Sequence, residues 1–502
     1  MADAAAAVAA AGVPAEAVGG APVRLAAASA VSEEPTVAPP AWLVLPFVVL
    51  LLMIATGPLF YIHHWHRHYP KYAVGLGAVV VLYYVFVLEA PMAMFYALEE
   101  FLSFIALVAA LFVAASGIYV HLNVRGRPLT NVALLSVGAV LANFIATTGA
   151  AMLLIRPFLN LNRGRLRPYH VVFFIFIVAN VGGALTPIGD PPLFLGFLRG
   201  VPFFWTLANV WYVWLPTLAL LLGVFYVFDR RNRAVSVAPE AGAPAVRVIG
   251  ARSLLWVGVT VAAVFVDPQV IPGVPALHVG AVELPFGIRE LVMFAVVGLA
   301  YRTAKPEALR RNEFNFEPIR EVGWLFLGIF ACMVPALSLI GLYAREQADA
   351  LTTGTFFWGT GALSAFLDNA PTYLNFLAAS MGKFGLDVND ALAVRAFAEG
   401  GADLGPAGVP TGVFLQAISV AAVFFGAMTY IGNAPNFMVK AIAEGHGEAS
   451  PDYPDGVPHG EVPHSARPPT FAGYLFRYAI PILLPIYAVI WLVLYSPWGL
   501  LT

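Results

Sequence analysis

Cysteine is almost missing from this chain: Cys332 is the only one among 502 residues. That excludes an internal disulfide and any thiolate-based metal centre, and the apolar run around Cys332 marks it as a packing residue. Charge is scarce as well. Asp, Glu, Lys and Arg make up 11% of the chain and the formal net charge is −2, so there is no basic face to release counterions from a nucleic acid. No Walker A loop, zinc-protease helix or nucleophile elbow occurs in the sequence. Nothing in it points to an enzyme or to a bound cofactor. Any work the protein does must draw on an ion gradient or on a partner subunit.

What the chain does have is apolar length. Hydrophobic residues make up 60% of it and the mean hydropathy is +0.80, more apolar surface than a soluble domain can hide. Several segments exceed the roughly 18 apolar residues that span hydrocarbon, starting with 42–61. The expected fold is therefore an all-α polytopic membrane protein whose main partner is the lipid bilayer. Residues 1–41, rich in Ala, Gly and Pro, read as a disordered tail.

Arg and Lys concentrate in three loops, around Arg156–Arg167, Arg230–Arg252 and Arg302–Arg311. Placing all three in the cytoplasm, together with Arg125 and Arg127, sets an orientation. Two spans, 170–198 and 203–228, then separate the first two loops, and two more, 253–267 and 288–301, separate the next pair. Segment 131–155 has both ends in the cytoplasm yet is too short for two crossings. A re-entrant hairpin with its tip at 147–149 satisfies both facts. Such a tip must be walled by protein or line a wet cavity.

The sequence also repeats itself. Gly183-Ala-Leu-Thr186-Pro187-Ile-Gly189-Asp190-Pro191-Pro192-Leu-Phe194 matches Gly426-Ala-Met-Thr429-Tyr-Ile-Gly432-Asn433-Ala-Pro435-Asn436-Phe437 in register. Phe144-Ile-Ala-Thr147-Thr148-Gly149 aligns with Phe366-Leu-Asp368-Asn369-Ala-Pro371, and Glu100 and Glu321 open what read as equivalent spans, 101–121 and 322–342. A second hairpin is expected at about 355–382, entering from the opposite side. The chain then divides into a tail (1–41), a first transmembrane repeat (42–228), a cytoplasmic linker (229–252) and a second repeat of inverted topology (253–502). Each repeat would carry one re-entrant hairpin and one discontinuous helix, the plan of alternating-access carriers. Polar inserts at 382–408 and 444–469 interrupt the second repeat.

Chemistry concentrates at the interruptions. Prolines at 187, 191 and 192 remove backbone donors and open the first helix, freeing carbonyls beside a half-helix N-terminus. Asp190 can cap that half-helix, but an ionisable group at mid-membrane marks a functional site. Asn433 is its uncharged counterpart. Asp368 supplies the other carboxylate, at the second tip, where it too can act as a cap. Asn369 and Thr372 lie beside it, while Asn143, Thr147 and Thr148 offer oxygens in the first half, a set suited to a hard cation. Asn180 either faces the same cavity or bonds a neighbouring helix. His63, His64, His66 and His68 fall in a short loop after the first span and read, with Trp65 and Tyr69, as an interfacial belt. Glu100 and Glu321 fit the dipoles of the helices they open.

These motifs resemble the ion transporter superfamily, which includes arsenite permeases, sodium/proton antiporters, citrate carriers and dicarboxylate carriers. The resemblance spans about 42–500 and is most specific at Gly189-Asp190-Pro191-Pro192, Gly432-Asn433-Ala434-Pro435 and Asp368-Asn369-Ala370-Pro371-Thr372. It implies a homodimer in the plasma (inner) membrane, with a scaffold and an elevator-like transport domain. It also implies ion sites at Asn143, Thr147, Thr148 and 186–190 (Thr186, Gly189, Asp190), and at 368–372 (Asp368, Asn369, Thr372) with 429–433 (Thr429, Gly432, Asn433). The nearest branch is that of sodium/proton antiporters and citrate transporters. Dicarboxylate carriers of the superfamily show Ser-Asn-Thr at both tips, which this chain lacks. With Asp at a tip and no Arg or Lys expected in the core, the leading expectation is Na⁺ (or Li⁺)/H⁺ exchange at Asp190 and Asp368. A cation-coupled citrate or carboxylate carrier and an arsenite efflux permease are the alternatives.

Overall fold

Prolines at helix starts and interruptions at helix centres shape the computed structural model, which describes residues 38–239, 241–266, 274, 276–279, 282–400, 408–445 and 467–502. Among the described residues, eight helices are long and apolar enough to cross a membrane. Most of residues 1–41, the stretch 401–407 of one insert and 446–466 of the other lie outside the described residues.

After a 3₁₀ turn at Ala41–Val44, the first half runs through α1 (Leu45–Phe60), α2 (Ile62–Phe86) and α3 (Pro91–Ser116). The hairpin α4 (Pro128–Leu161) follows, then a broken helix made of α5 (Pro168–Ile177) and α6 (Pro191–Leu198), and a closing helix α7 (Trp205–Arg231). The second half takes the same order. It has α8 (Ser253–Val264), α9 (Ile288–Thr303), the short α10 (Pro306–Arg311) and α11 (Glu317–Glu346), then a hairpin of α12 (Thr353–Ser364) and α13 (Asn369–Lys383). A short α14 (Ala391–Glu399) leads to the second broken helix, α15 (Thr411–Phe425) and α16 (Ala434–Gly445), and α17 (Phe471–Tyr495) ends the chain. Among the described residues, the few strands form two two-stranded ribbons, one pairing Tyr119–Leu122 with Val246–Ile249.

The first hairpin turns on two residues. Ile145 and Ala146 leave helical geometry, Ala146 at φ 61° and ψ 158°, so the chain reverses just ahead of Thr147 rather than at 147–149. Asn131 and Asn162, on the two arms, donate to each other's carboxamide oxygens at 2.8 Å. A continuous helix would hold them roughly 46 Å apart. The second hairpin turns at 365–368, with Phe356 and Phe376 in edge contact at 6.4 Å.

The hairpin bases lie at opposite ends of α7. Asn131 at the first base donates to Asp229 at 2.9 Å, two residues from the C-terminus of α7. Phe384, just past the second base, packs on Phe397 at 5.9 Å, and Trp205, which opens α7, donates to the Ala398 carbonyl at 2.6 Å. Asp229 and Trp205 are 24 residues apart, about 36 Å along a helix. Each hairpin therefore enters the core from its own side.

Three sequence expectations change here. His63, His64, His66 and His68 lie in the opening turns of α2, not in a loop, because helix resumes immediately after Tyr61. Glu100 does not open its helix: α3 starts at Pro91, and Glu100 is held by Arg199 across the helix pair at 2.8 Å. Glu321 likewise lies inside α11, which starts at Glu317. The linker residue Asp229 is buried within α7 and carries the Arg165 guanidinium at 2.8 Å. Cys332 is buried and free, as packing requires.

Candidate functional site

Both breaks are built the same way. In the first, Gly183 and Gly189 approach so closely that a methyl group on Gly189 would sit 2.1 Å from the Gly183 carbonyl oxygen. In the second, the matching distance from Gly432 to the Gly426 carbonyl is 2.7 Å. Only a residue without a Cβ lets the chain fold back on itself there. Each break is then stitched to the tip of its own hairpin by a threonine. The Thr186 hydroxyl donates to the Asn143 carbonyl at 2.6 Å, and the Thr429 hydroxyl donates to the Ala365 carbonyl. Asn143 and Ala365 are matching positions of the two hairpins, so the stitch is repeated atom for atom. The first half adds two more: the Thr147 amide donates to Gly189 at 2.8 Å, and the Asn143 carboxamide donates to Gly182 at 2.7 Å while accepting from Leu185 at 2.9 Å.

These stitches bring the two tips and the two breaks together around Asp190. It is 1% exposed, and its carboxylate accepts from three directions. Thr147 of the first tip donates to Oδ1 at 2.9 Å, Asn369 of the second tip to Oδ2 at 2.6 Å, and Asn433 of the second break to Oδ1 at 3.0 Å. Asp190 stands at the N-cap position of α6, yet its side chain makes no capping hydrogen bond there. Its acceptors are spent on holding the halves together. Asp368 behaves in the opposite way. Its Oδ1 caps α13 by accepting the Ala370 amide at 3.0 Å, and no side chain donates to its carboxylate among the described residues.

A cavity of about 630 Å³, including its opening to solvent, lies against this centre. Its polar lining is Thr148, Asp190, Asp368 and Asn433; the rest is apolar. Phe104, Leu107 and Leu111 of α3 with Val322 and Phe326 of α11 form one wall, and Phe104 stacks on Phe326 at 4.5 Å. No Arg or Lys lines the cavity. Arg199, the C-cap of α6, and Arg289, in the first turn of α9, are engaged by Glu100 and Glu290. Four helix N-termini reach the cavity, seen in Thr148 and Gly149 of the second hairpin arm, Pro191 of α6, Asp368 at the cap of α13, and Ala434 and Pro435 of α16. Each brings about half a positive charge. Two carry an aspartate at the cap and two carry an uncharged residue, Ala146 or Asn433.

The remaining sequence candidates divide by place. Asn143, Thr186, Gly189, Thr429 and Gly432 hold the tips to the breaks and do not line the cavity. Thr372 bonds the Asp368 carbonyl within its own helix at 2.9 Å. Asn180 bonds across the halves to Asn436 at 2.7 Å. The aromatic wall was missed, because Phe104 and Phe326 look like any lipid-facing residue in a sequence. A further observation bears on ligands: the Asn369 Oδ1 is buried and finds no donor among the described residues. No three His, Cys, Asp or Glu side chains converge among the described residues.

Residues 36–457 match the model of a family described as "Putative citrate transport". The chain belongs to that family. It is thus an integral, multi-pass membrane protein of a transporter family, within the superfamily that its motifs resemble. No curated protein matches it in a sequence search.

Proposed function

We propose that this protein is a secondary transporter that carries citrate, or a similar small carboxylate, as its complex with a divalent cation. The observation that carries this reading is the mixed electrostatics of the cavity: four positive helix ends and two aspartates, with no arginine or lysine. A free tricarboxylate would meet Asp190 and Asp368 with repulsion of about 4 kcal/mol per pair of unit charges at 4 Å and an effective dielectric constant of about 20. A bound divalent cation removes that obstacle. The helix ends at Thr148 and Ala434, which carry no charged cap, then suit the carboxylates, and the Asp368 carboxylate and the Asn433 carboxamide, both of which line the cavity, suit the metal.

The cation side of the site also supports a second reading, Na⁺ (or Li⁺)/H⁺ exchange with no organic cargo, since two carboxylates among oxygen ligands would serve it directly. Arsenite efflux has no observation of its own here. For either cargo, we take the repeats 42–228 and 253–502 as inverted, because the hairpins enter from opposite ends of α7. Tips and breaks would move as one body, sliding along the apolar wall of α3 and α11, where no side-chain hydrogen bond to Asp190 or Asp368 has to break. The homodimer and the plasma (inner) membrane belong to the same proposal.

Uptake of radiolabelled citrate into proteoliposomes, under an imposed proton gradient and with Mg²⁺, Ca²⁺ or chelator, tests it. Uptake that requires the divalent cation is expected. Absent citrate uptake, together with sodium-induced proton movement in everted vesicles, would replace this reading with the second one.

A further inference from the structure

Two carboxamides sit where the halves cross, and neither touches the cavity. Asn180 follows α5 by three residues in a non-helical conformation (φ −139°, ψ −85°) and is fully buried. A carboxamide in so apolar a place is costly unless its donors and acceptor are all met. Asn180 meets them. Its amide donates to the Ile175 carbonyl at 2.8 Å and to Asn436 Oδ1 at 2.7 Å, and its oxygen accepts from Asn433 at 3.3 Å. Asn436, in the first turn of α16 and also fully buried, donates to the Gly426 and Thr429 carbonyls at 2.8 and 2.9 Å. Both carbonyls belong to the backbone of the second break, Gly426 opening its 3₁₀ turn and Thr429 following it. Because every donor of both side chains faces a carbonyl or carboxamide oxygen, neither amide can be flipped without losing several bonds.

Asn433 depends on this arrangement. Its amide nitrogen points at three oxygens of the first half, Ala179 at 3.2 Å, Asn180 at 3.3 Å and Asp190 at 3.0 Å. With the nitrogen committed to these oxygens, Oδ1 is the polar atom of Asn433 left for other partners, and Asn433 lines the cavity. Gly426 gives the clasp its room: a methyl group there would lie 3.0 Å from Asn180 Oδ1.

We infer that Asn180 and Asn436 form a positioning clasp between the two halves, which fixes the atom Asn433 presents to the cargo cation and so sets cation affinity and selectivity. This role rests on the proposed cation-dependent carrier. Residues that orient metal ligands typically change affinity by 10- to 100-fold when removed.

The test uses the full-length protein in proteoliposomes and reads citrate uptake against Mg²⁺ and Ca²⁺ concentration. Asn180→Ala and Asn436→Ala should raise the half-maximal cation concentration about tenfold or more and change the ratio between Mg²⁺ and Ca²⁺, with the maximal rate much less affected. Gly426→Ala, a milder disturbance available if the alanine variants fail to fold, should move the ratio in the same direction. Asn312→Ala is the control. Asn312 is also buried and donates to two carbonyls, Ser116 at 2.8 Å and Ile118 at 2.7 Å, but it lies outside the breaks, so its loss should leave both cation midpoints and their ratio unchanged. If the clasp variants behave like Asn312→Ala, with wild-type midpoints and ratio, the clasp is merely structural and the inference fails. If the wild type itself shows no divalent-dependent uptake, the proposed cargo fails, and this role fails with it.

Discussion

The two breaks share their backbone and differ in one charge. Thr186 and Thr429 make the same stitch, and Gly183–Gly189 and Gly426–Gly432 the same close approach, yet Asp190 stands in one and Asn433 in the other. The two meet directly, the amide of one donating to the carboxylate of the other at 3.0 Å. That contact explains the asymmetry. Two aspartates at these positions would repel at hydrogen-bond distance, and two asparagines would leave Thr147 and Asn369 without a charged acceptor. One of each gives a charge-assisted bond between the halves. The hairpin tips differ in the complementary sense, with Thr147 in the first and the Asp368-Asn369 pair in the second. The first half thus supplies the carboxylate that ties the centre together, and the second supplies the one left open to the cavity.

The largest effect should come from deleting the tie. Asp190→Ala strands three buried donors, each worth about 1–3 kcal/mol, so thermal unfolding in detergent should show a loss of several kcal/mol, or the protein should not be recovered. Next comes the charge exchange. Asn433→Asp alone places two carboxylates in contact and should destabilise by about 4 kcal/mol. Adding Asp190→Asn to it moves the single charge to the other break and should restore much of the loss. A double variant no more stable than Asn433→Asp would break the equivalence drawn between the positions. Smaller effects separate the glycines. Gly189→Ala and Gly432→Ala both force backbone apart, at about 1–3 kcal/mol, and Gly189→Ala should cost more because its methyl would fall at 2.1 Å instead of 2.7 Å. Smallest of all is Asp368→Asn. Asn caps a helix about as well as Asp, so the unfolding temperature should scarcely move.

Much of this centre could be read from sequence, because proline, glycine and lone polar residues stand out in an apolar chain. The sequence assigns Thr147 and Asp190 to one ion site and Asn369 and Asn433 to another, whereas the structure joins all four; the fold class and transporter family follow from the same features. The tip of the first hairpin was placed two residues late, since Ala146 at positive φ leaves no mark that an alanine elsewhere would not. The histidines of α2 looked like a loop because polar residues near a membrane interface do not show whether the helix continues. Glu100 looked like a helix start because its partner, Arg199, is 99 residues away. Asn436 sat within the repeated motif, but nothing in one sequence shows that its carboxamide reaches across to Asn180. Local signals mark where a helix breaks; the contacts between breaks are long-range, and only packing determines them.

On the proposed function, Asp190 binds the halves to each other while Asp368 receives the cargo cation. Citrate uptake by the Asp368→Asn protein, compared with wild type across a Mg²⁺ titration, tests it most directly. The expected result is a folded protein of near wild-type thermal stability whose Mg²⁺-dependent uptake is lost. Uptake that keeps its wild-type rate and Mg²⁺ dependence in that variant would contradict it.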